Sequence, residues 1–322
     1  MRTRVVVALL AVAVAVAGCG STVAPESVSV SPAEPWPSGA AEVTTTPTAA
    51  NAADCDREAS LRPGPLPSPG AMPPGSTMAA IAERGRLIAG VDQSTDLFGS
   101  RNPATGQLEG FDIDIAREIA RAIFGDPNRI QLRVVNAKER ESVLQSGEVD
   151  VVVRTYSITC ERKQVVDFST VYYYADQKIL SAKGSGIDSA AALGGKRVCA
   201  VSGTTSLSKL LGFNPRPQVF SATTWTDCLV MLQQGQVDAI STDDSVLKGL
   251  AVQDPTVGVS GDSIAKEPYG IGVNKDHEDL VRFVNGVLEK MRDDGTWERL
   301  YEARLQQALG PSPGPPAPRY ED

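Results

Sequence analysis

One short stretch of this sequence occurs twice, and the repeat limits the folds that the chain can adopt. Residues 144–152 read LQSGEVDVV, and residues 232–240 read LQQGQVDAI. Each copy has the pattern of a helix end, a glycine stop and a buried strand. The two halves of the chain therefore repeat one structural unit.

Around the repeat, short strand-like runs alternate with helical patterns, which is typical of α/β proteins. Buried strands are predicted at residues 87–91, 149–153, 197–201 and 237–240. Amphipathic spacing predicts helices at residues 111–124, 280–292 and 297–305. These elements predict an α/β fold with one folded region in the middle of the chain.

The residues that follow the two repeated strands carry opposite charge. The first strand leads into Arg154, and the second leads into Asp243 and Asp244. Ligands of open α/β sheets bind beyond the carboxyl ends of strands, so these side chains are expected to face one crevice. An isolated charge at such a place more often solvates a loop. Complementary charges at equivalent places favour a zwitterionic ligand such as a free amino acid, because charge-assisted hydrogen bonds are strong.

Several motifs, in order, resemble the polar amino-acid-binding proteins of bacterial ABC importers, solute-binding protein family 3, of the glutamate, aspartate and glutamine type. They are GFDIDIA at residues 110–116, the first repeat copy, SITCERK at residues 157–163, VDFS at residues 166–169, GKRV at residues 195–198 and SGTTS at residues 202–206. The resemblance covers nearly all of residues 78–305. It implies an α/β, two-lobed, periplasmic-binding-protein-like (type II) fold with two hinge crossings and a ligand cleft between the lobes.

The resemblance also implies how the chain divides. Lobe 1 is expected to contain residues 77–179 and 271–308, and lobe 2 residues 180–270. The crossings are expected near residues 177–182 and 267–272. The ligand would bind lobe 1 and be captured when lobe 2 closes over it.

The resemblance assigns roles to individual residues. Arg162, the arginine of the SITCER motif, is expected to hold the α-carboxylate of the ligand, and Asp243 its ammonium group. Further ligand contacts are expected from Thr155, Ser157, Thr204 and Thr205. Tyr156 is a candidate wall for the methylene groups of the ligand, and core packing explains it equally well.

Arg154 remains once Arg162 has been assigned to the α-carboxylate, and Arg101, in the loop after the first strand, is a candidate neighbour. A guanidinium group buried in a closed crevice needs a second anionic or accepting group. The sequence therefore predicts glutamate or aspartate as the ligand, with glutamine and asparagine as weaker ligands.

The first residues predict export. Arg2 and Arg4 precede an apolar run that is too short to span a bilayer, so residues 1–18 are expected to be a signal peptide. Residues 16–19 read VAGC and resemble the lipobox of bacterial lipoproteins. This implies a lipid (palmitate) on Cys19 and a position on the outer face of the cytoplasmic membrane. An ordinary cleavage site is the alternative.

Both ends of the chain have the composition of disordered segments. Residues 19–76 are rich in Pro, Ser, Thr, Ala and Gly and lack apolar periodicity, which predicts a tether. Residues 309–322 have the same character and predict a disordered tail.

Four further cysteines form an even set in an exported chain, which predicts two disulfides with three possible connectivities. We favour Cys199 with Cys228 and Cys55 with Cys160; Cys160 stands where the family has proline. A zinc site is less favoured, because no pair has C-x-x-C spacing and the single histidine, His277, lies in a charged run.

The composition limits the partners. The formal net charge is −8, which argues against nucleic acid or an anionic membrane surface as a partner. The expected partners of this monomer are a small amino acid and an ABC permease, or a membrane sensor if the chain reports nutrient level. No cofactor or metal is expected. A dehydratase-like enzyme on the same scaffold is the rival, but a single histidine nearly excludes a Ser-His-Asp or Cys-His site.

Overall fold

The structure, a computed structural model, describes residues 35–45 and 55–322. The predicted signal peptide and the lipidation at Cys19 lie outside the described residues. None of the helices within those two ranges could span a membrane.

The described residues form sixteen strands and ten α-helices. The strands are β1 (Ala41–Glu42), β2 (Ala59–Ser60), β3 (Leu87–Val91), β4 (Ser94–Thr95), β5 (Gly99–Arg101), β6 (Leu108–Glu109), β7 (Ile130–Val134), β8 (Val151–Val152), β9 (Val166–Phe168), β10 (Tyr173–Ala182), β11 (Arg197–Val201), β12 (Gln218–Ala222), β13 (Ala239–Asp243), β14 (Val257–Tyr269), β15 (Gly272–Asn274) and β16 (Arg319–Tyr320). The helices are α1 (Thr77–Arg84), α2 (Phe111–Phe124), α3 (Arg140–Gln145), α4 (Cys160–Lys163), α5 (Thr205–Leu211), α6 (Trp225–Gln233), α7 (Asp244–Gln253), α8 (Glu278–Asp293), α9 (Thr296–Arg304) and α10 (Gln306–Leu309).

The first sheet has five strands in the order β7-β3-β8-β15-β9. Parallel pairing joins β3 to β7 and to β8, whereas β15 runs antiparallel to β8 and β9. Strand β15 comes from late in the chain, and the other four strands come from its first half. This sheet is therefore assembled from two separate parts of the chain.

The second sheet has six strands in the order β1-β12-β11-β13-β10-β14. Strand β11 is parallel to β12 and β13, while β10 runs antiparallel to β13 and β14. Over residues 173–176, β10 pairs only with β14; from Gln177 onward it also pairs with β13. Residues 173–176 and 266–269 thus form a two-stranded ribbon, the hinge ribbon, where the chain passes between the sheets.

Each sheet has its own hydrophobic core. Helices α2 and α8 bury Ile119 and Val284 against the first sheet, and helices α5, α6 and α7 bury Leu210, Leu229 and Leu247 against the second. Full burial of one such side chain contributes about 1.5–3 kcal/mol relative to exposure. Most residues of the two sheets are thus packed into separate clusters of buried side chains.

Helix α2 has the bounds that its apolar spacing predicts, and glycine sets both ends. Gly110 precedes it with a φ of 135°, and a Cβ there would lie 2.2 Å from the carbonyl oxygen of Phe98. Gly125 ends it with a φ of 76°, in the left-handed region that glycine adopts without strain. Asp112 and Asp114 in the first turn interact favourably with the helix dipole.

The two copies of the repeat share the same hydrogen bonds. Gly147 and Gly235 have φ values of 70° and 68°, which turn the chain after α3 and α6. The Oδ2 atom of Asp150 accepts a hydrogen bond from a backbone N–H of β3 at 2.7 Å, and that of Asp238 accepts one from β11 at 2.8 Å. The aspartate of each copy therefore fixes its strand against a neighbouring strand.

Parts of both chain ends are ordered, which differs from the tether and tail that their composition predicts. Strand β1 pairs with β12, and the ring of Trp36 stacks on Phe220 with centroids 5.1 Å apart. Strand β16 pairs with β2, and the backbone N–H of Arg62 donates to Oδ1 of Asp322 at 2.7 Å. These contacts provide hydrogen-bond and ion-pair partners for groups on the surface of the folded body. Segments that bind in this way need no apolar periodicity, so their sequence pattern does not predict them.

The described residues contain two disulfides, Cys55–Cys160 and Cys199–Cys228, which is the pairing favoured from the sequence. The first fastens the N-terminal segment to α4. The second joins β11 to α6 inside the core of the second sheet. Each cross-link restricts the unfolded chain and thereby stabilises the fold.

Candidate ligand-binding site

The two sheets meet at a cleft beyond the ends of β8 and β13. The cavity there is lined from both sides by Arg140, Arg154, Thr155, Ser157, Arg162, Thr204, Thr205, Ser206, Trp225, Thr242, Asp243 and Val246. The cavity between the walls has a volume of about 20 Å³. The walls therefore lie close together. A wider space of about 1030 Å³, the cleft mouth, adjoins the cavity and shares Arg162, Thr204 and Thr205 with it.

Arg162 extends from α4 into the cavity. Thr159 caps this helix, and its Oγ1 accepts the N–H of Arg162 at 3.1 Å. The guanidinium group donates to the carbonyl oxygens of Ser157 at 2.6 Å and Gly203 at 2.9 Å, and it lies 3.2 Å from Oε1 of Glu141. The residue is 9% exposed, so these contacts orient a nearly buried cation at the cavity surface.

Arg154 also lines the cavity, but the protein already neutralises its charge. Its Nη2 lies 3.0 Å from Oδ2 of Asp92, and its Nε donates to the carbonyl oxygen of Val135 at 2.7 Å. The two side chains of this ion pair are only 3% and 6% exposed. The sequence-based premise that Arg154 is a surplus charge is therefore wrong, because Asp92 supplies the anion.

Arg140 is a lining residue that the sequence patterns did not indicate. Its Nε donates to the carbonyl oxygen of Ala137 at 2.8 Å and its Nη2 to that of Gly203 at 2.9 Å. No carboxylate of the described residues lies within ion-pair distance of it. Burial and the neighbouring Arg162 lower the pKa of Arg140 to about 9. The predicted sheet topology could have indicated Arg140, because it follows β7 at the same edge of the sheet as Arg154.

The ring of Tyr156 lies against two of these guanidinium groups. Its centroid is 4.2 Å from the guanidinium carbon of Arg140 and 4.9 Å from that of Arg162. It also packs edge-on against Phe168 and is fully buried. Tyr156 is not among the residues that line the cavity, and it supports the arginines through cation–π contacts.

A buried carboxyl group holds the loop after β8. Thr155 has a φ of 38°, which is uncommon for a residue other than glycine, and its N–H donates to Oδ2 of Asp112 at 2.8 Å. The hydroxyl of Tyr172 donates to Oδ1 at 2.7 Å. Burial raises the pKa of Asp112 to about 7. The hydrogen bond from the N–H of Thr155 to Asp112 thus holds the backbone of this loop in place. Thr155 and Ser157 both line the cavity.

The second wall begins at the loop before α5. Thr204 caps that helix, and Gly203 adopts a φ of 77°. A Cβ on Gly203 would lie 2.5 Å from the Cα of Lys138, so only glycine allows the two walls to approach this closely. The carbonyl oxygen of Gly203 accepts from both Arg140 and Arg162, and these bonds connect the lobes.

Asp243 ends β13 with only one of its carboxyl oxygens engaged. The hydroxyl of Tyr269 donates to Oδ2, while Oδ1 is buried and has no partner among the described residues. Burial and the charge of Glu267 raise the pKa of Asp243 to about 8. Glu267, which the sequence patterns did not indicate, accepts a hydrogen bond from Thr205 at 3.0 Å.

The structure does not bring Arg101 to the cavity. Its guanidinium group donates to Oε1 of Gln93 and to the carbonyl oxygen of Gly106 at 2.8 Å, and the side chain is exposed. The expectation that Arg101 approaches Arg154 is wrong, because the small sheet β4-β5-β6 carries Arg101 into solvent. No cluster of metal-ligating side chains is found in residues 35–45 and 55–322.

Comparison with known proteins identifies the family. Residues 87–307 match the model of bacterial extracellular solute-binding proteins, family 3. The ABC transporter glutamine-binding protein GlnH of Bacillus subtilis is 40% identical over 232 residues, which cover 72% of this chain and 85% of the relative. The glutamate-binding protein GluB of Corynebacterium glutamicum is 31% identical over 243 residues, covering 72% of this chain and 82% of the relative.

Solved structures of other binding proteins have the same fold as this chain. A solute receptor for L-cysteine of Neisseria gonorrhoeae aligns with a TM-score of 0.70 and 28% identity, covering 73% of this chain and 96% of that one. An ancestral arginine-binding protein bound to glutamine aligns with a TM-score of 0.64 and 33% identity, covering 70% and 99%. The family resemblance and the type II two-lobed fold are thereby confirmed. The chain belongs to the bacterial extracellular solute-binding proteins of family 3, the amino-acid-binding components of ABC importers, and is a binding protein rather than an enzyme.

Proposed function

We propose that this protein captures an acidic or amide amino acid between its lobes and delivers it to an ABC permease. One observation carries the proposal: the Arg162 guanidinium group and the half-engaged carboxyl group of Asp243 line one cavity from opposite walls. Opposite charges on two walls suit a ligand with a carboxylate at one end and an ammonium at the other.

Arg162 binds the α-carboxylate, and the free Oδ1 of Asp243 accepts the ammonium group. Ser157 and Thr155 on the first wall and Thr204 and Thr205 on the second supply further hydrogen bonds. One charge-assisted hydrogen bond contributes about 1.5–3 kcal/mol, while micromolar affinity needs about 8 kcal/mol. Several such bonds, with the apolar contacts of the cavity, reach that value.

Arg140 and Arg154 receive the side-chain end of the ligand. Arg140 is the better candidate for this contact, because Arg154 already pairs with Asp92. An anionic group of the ligand would stabilise the buried guanidinium group of Arg140. This favours glutamate and aspartate, with glutamine and asparagine as weaker ligands. The glutamine-binding and glutamate-binding relatives support a ligand of this size and polarity.

Closure of the lobes produces capture. The division expected from the sequence is lobe 1 at residues 77–179 and 271–308 and lobe 2 at residues 180–270. Its crossings lie a few residues beyond the hinge ribbon, because residues 177–179 already pair with β13 of the second sheet. We assign the bending to the hinge ribbon, because there β10 and β14 pair only with each other. The hydrogen bonds from Arg140 and Arg162 to Gly203 favour the closed arrangement.

Delivery takes place outside the cytoplasm. A lipid on Cys19 would anchor the monomer to the outer face of the cytoplasmic membrane, and the closed lobes would present a surface to the permease. Growth of the native strain in labelled palmitate, with Cys19→Ala as the comparison, tests the anchor: the label should be found only on the protein that retains Cys19.

A thermal shift assay with the twenty amino acids at neutral pH tests the ligand class. A ligand at 100 times its dissociation constant stabilises the folded state by about 2.7 kcal/mol, which raises the melting temperature visibly. Glutamate, aspartate and their amides should give the largest shifts. An equal shift with leucine or lysine would contradict the assignment.

A further inference from the structure

The cleft mouth carries more positive than negative charge. The cationic side chains that line it are Arg57, Lys138, Arg162, Lys209 and Lys266. The carboxylates that line it are Glu141, Glu161 and Glu267. The chain as a whole has a formal net charge of −8. The mouth is therefore a local positive region on an acidic protein.

Two of these cations, Lys138 and Lys209, come from different sides of the cleft. Lys138 follows β7 of the first sheet, and Lys209 belongs to α5, which packs on the second sheet. Both residues are exposed. Within the described part of the chain, neither ammonium group takes part in a hydrogen bond or an ion pair. Their charge therefore acts on whatever enters the mouth.

The other three cations of the mouth already have contacts within the protein. Arg162 lies 3.2 Å from Oε1 of Glu141. The guanidinium group of Arg57 donates to the carbonyl oxygen of Lys266 at 3.1 Å. The ammonium group of Lys266 lies 4.0 Å from the ring centroid of Tyr174. The two lysines from different sides of the cleft are therefore the best candidates for attracting a ligand.

The shape of the mouth strengthens the effect of these charges. A charged concave space with low-dielectric walls raises the association rate of an oppositely charged ligand by about 10- to 1000-fold. The mouth has a volume of about 1030 Å³ and shares Arg162, Thr204 and Thr205 with the cavity. A ligand that passes through the mouth thus reaches the proposed partner of its α-carboxylate directly. Charges at such a rim change the association rate more than the dissociation rate.

We propose that Lys138 and Lys209 attract anionic amino acids into the cleft mouth, and that the protein thereby binds glutamate and aspartate faster than their amides. The inference rests on the proposed function, because it takes the cavity beyond the mouth as the binding site. Glutamate and aspartate carry a net charge of about −1 at neutral pH, whereas glutamine and asparagine carry none. Each acid and its amide are nearly equal in size, so their comparison isolates the effect of charge.

Stopped-flow mixing of the full folded protein with L-glutamate and with L-glutamine tests the attraction. Trp225 lines the cavity, so its fluorescence should report binding, and calorimetry gives the ratio of dissociation constants independently. An increase in sodium chloride from about 0.01 M to about 1 M shortens the Debye length from about 30 Å to about 3 Å. We expect the association rate to fall about fivefold for glutamate and to change by less than about 1.5-fold for glutamine. Chloride that competes at Arg162 affects both ligands, so the ratio of their rates is the measure.

Variants of the two lysines show whether these residues produce the effect. The double variant Lys138→Gln, Lys209→Gln balances the charges of the mouth, so the ratio of rates should no longer depend on salt. Lys138→Glu with Lys209→Glu makes the mouth negative, and salt should then accelerate the association of glutamate. Lys196→Gln is the matched control, because this exposed lysine precedes β11 at the end of the second sheet opposite to the cleft. It should retain the salt dependence of the unaltered protein.

The possible outcomes separate this inference from the proposed function. If glutamate binds at a rate that neither salt nor the double variants change, the inference is wrong and the proposed function stands. Binding of the amides without binding of glutamate or aspartate has the same consequence. An equal loss for glutamate and glutamine in the double variants would show a structural effect and also overturn the inference. Failure of all four amino acids to bind overturns both.

Discussion

The two walls of the cleft differ in whether their buried charged groups have partners of opposite charge. On the first wall, Arg154 and Arg162 have carboxylate partners within 3.2 Å, and their remaining donors reach backbone carbonyl oxygens. On the second wall, Asp243 and Glu267 accept hydrogen bonds only from hydroxyl groups within the part of the chain that the structure describes. An unpaired buried charge is costly, so Arg154 needs no anion from a ligand, whereas Arg140 gains from an anionic group and the second wall gains from a cationic one.

The difference has a structural origin in the repeat. Asp150 and Asp238 perform the same task in the two copies, each accepting a hydrogen bond from the neighbouring strand. The copies carry opposite charges near the ends of their strands: Arg154 lies two residues after β8, and Asp243 is the last residue of β13. One structural unit thus positions opposite charges at neighbouring places, and the groups around each charge determine whether the protein neutralises it.

Breaking the ion pair of the first wall should have the largest effect. Arg154→Met leaves the buried carboxylate of Asp92 without its cation, and we expect the free energy of unfolding to fall by about 3–5 kcal/mol. Urea denaturation measures this. The double variant with Asp92→Asn should recover part of the loss, and a fully stable Arg154→Met protein would contradict the contrast between the walls.

The next largest effect should be on binding. Arg162→Ala removes the proposed partner of the α-carboxylate, and we expect the affinity for L-glutamate and L-glutamine to fall about 100-fold, or about 2.7 kcal/mol. Calorimetry provides the dissociation constants. Arg162→Lys should recover only part of the affinity, because lysine lacks the planar fork of donors. Wild-type affinity in Arg162→Ala would remove the assignment.

The free energy of unfolding of the ligand-free protein should depend on pH, because the buried carboxyl group of Asp243 has a raised pKa. The pKa of Asp243 is about 8 in the folded protein, above its ordinary value of 3.8, so its contribution to stability is complete below pH 4 and is lost as pH rises toward 8. The loss is at most about 1.4 kcal/mol per pH unit. Asp243→Asn should flatten the dependence of unfolding free energy on pH between 5 and 8. An unchanged slope would contradict a raised pKa.

The smallest effect should come from Arg101. It is exposed and bonded to Gln93 and Gly106 outside the cavity, so Arg101→Ala should change affinity by less than about twofold and stability by less than about 0.5 kcal/mol. The same titration and denaturation measurements apply. A large loss of glutamate affinity would place Arg101 in the site after all.

Much of the fold was predictable because its signals are local. The apolar spacing of α2, bounded by Gly110 and Gly125, gave its limits, and the repeat gave the equivalence of two helix–strand units. Cys199 and Cys228 could be paired because they lie within one segment. The positions of strand ends and the resemblance to family motifs predicted two residues of the cavity, Arg162 and Asp243.

Other features depend on contacts between distant parts of the chain. The docking of β1 on β12 and of β16 on β2 has no periodic signal, so composition alone predicted disorder there. Arg140 and Glu267 enter the site from a helix start and from the hinge ribbon, at positions that no motif marks.

The sequence by itself determined an α/β chain with a repeated unit and opposite charges after its two equivalent strands. Only the tertiary structure decided that Asp92 neutralises Arg154 and that Glu267 adds a second acid beside Asp243. The physical reason is that strand and helix patterns arise from neighbouring residues. The state of a buried charge depends instead on which distant groups the fold brings within a few ångströms of it.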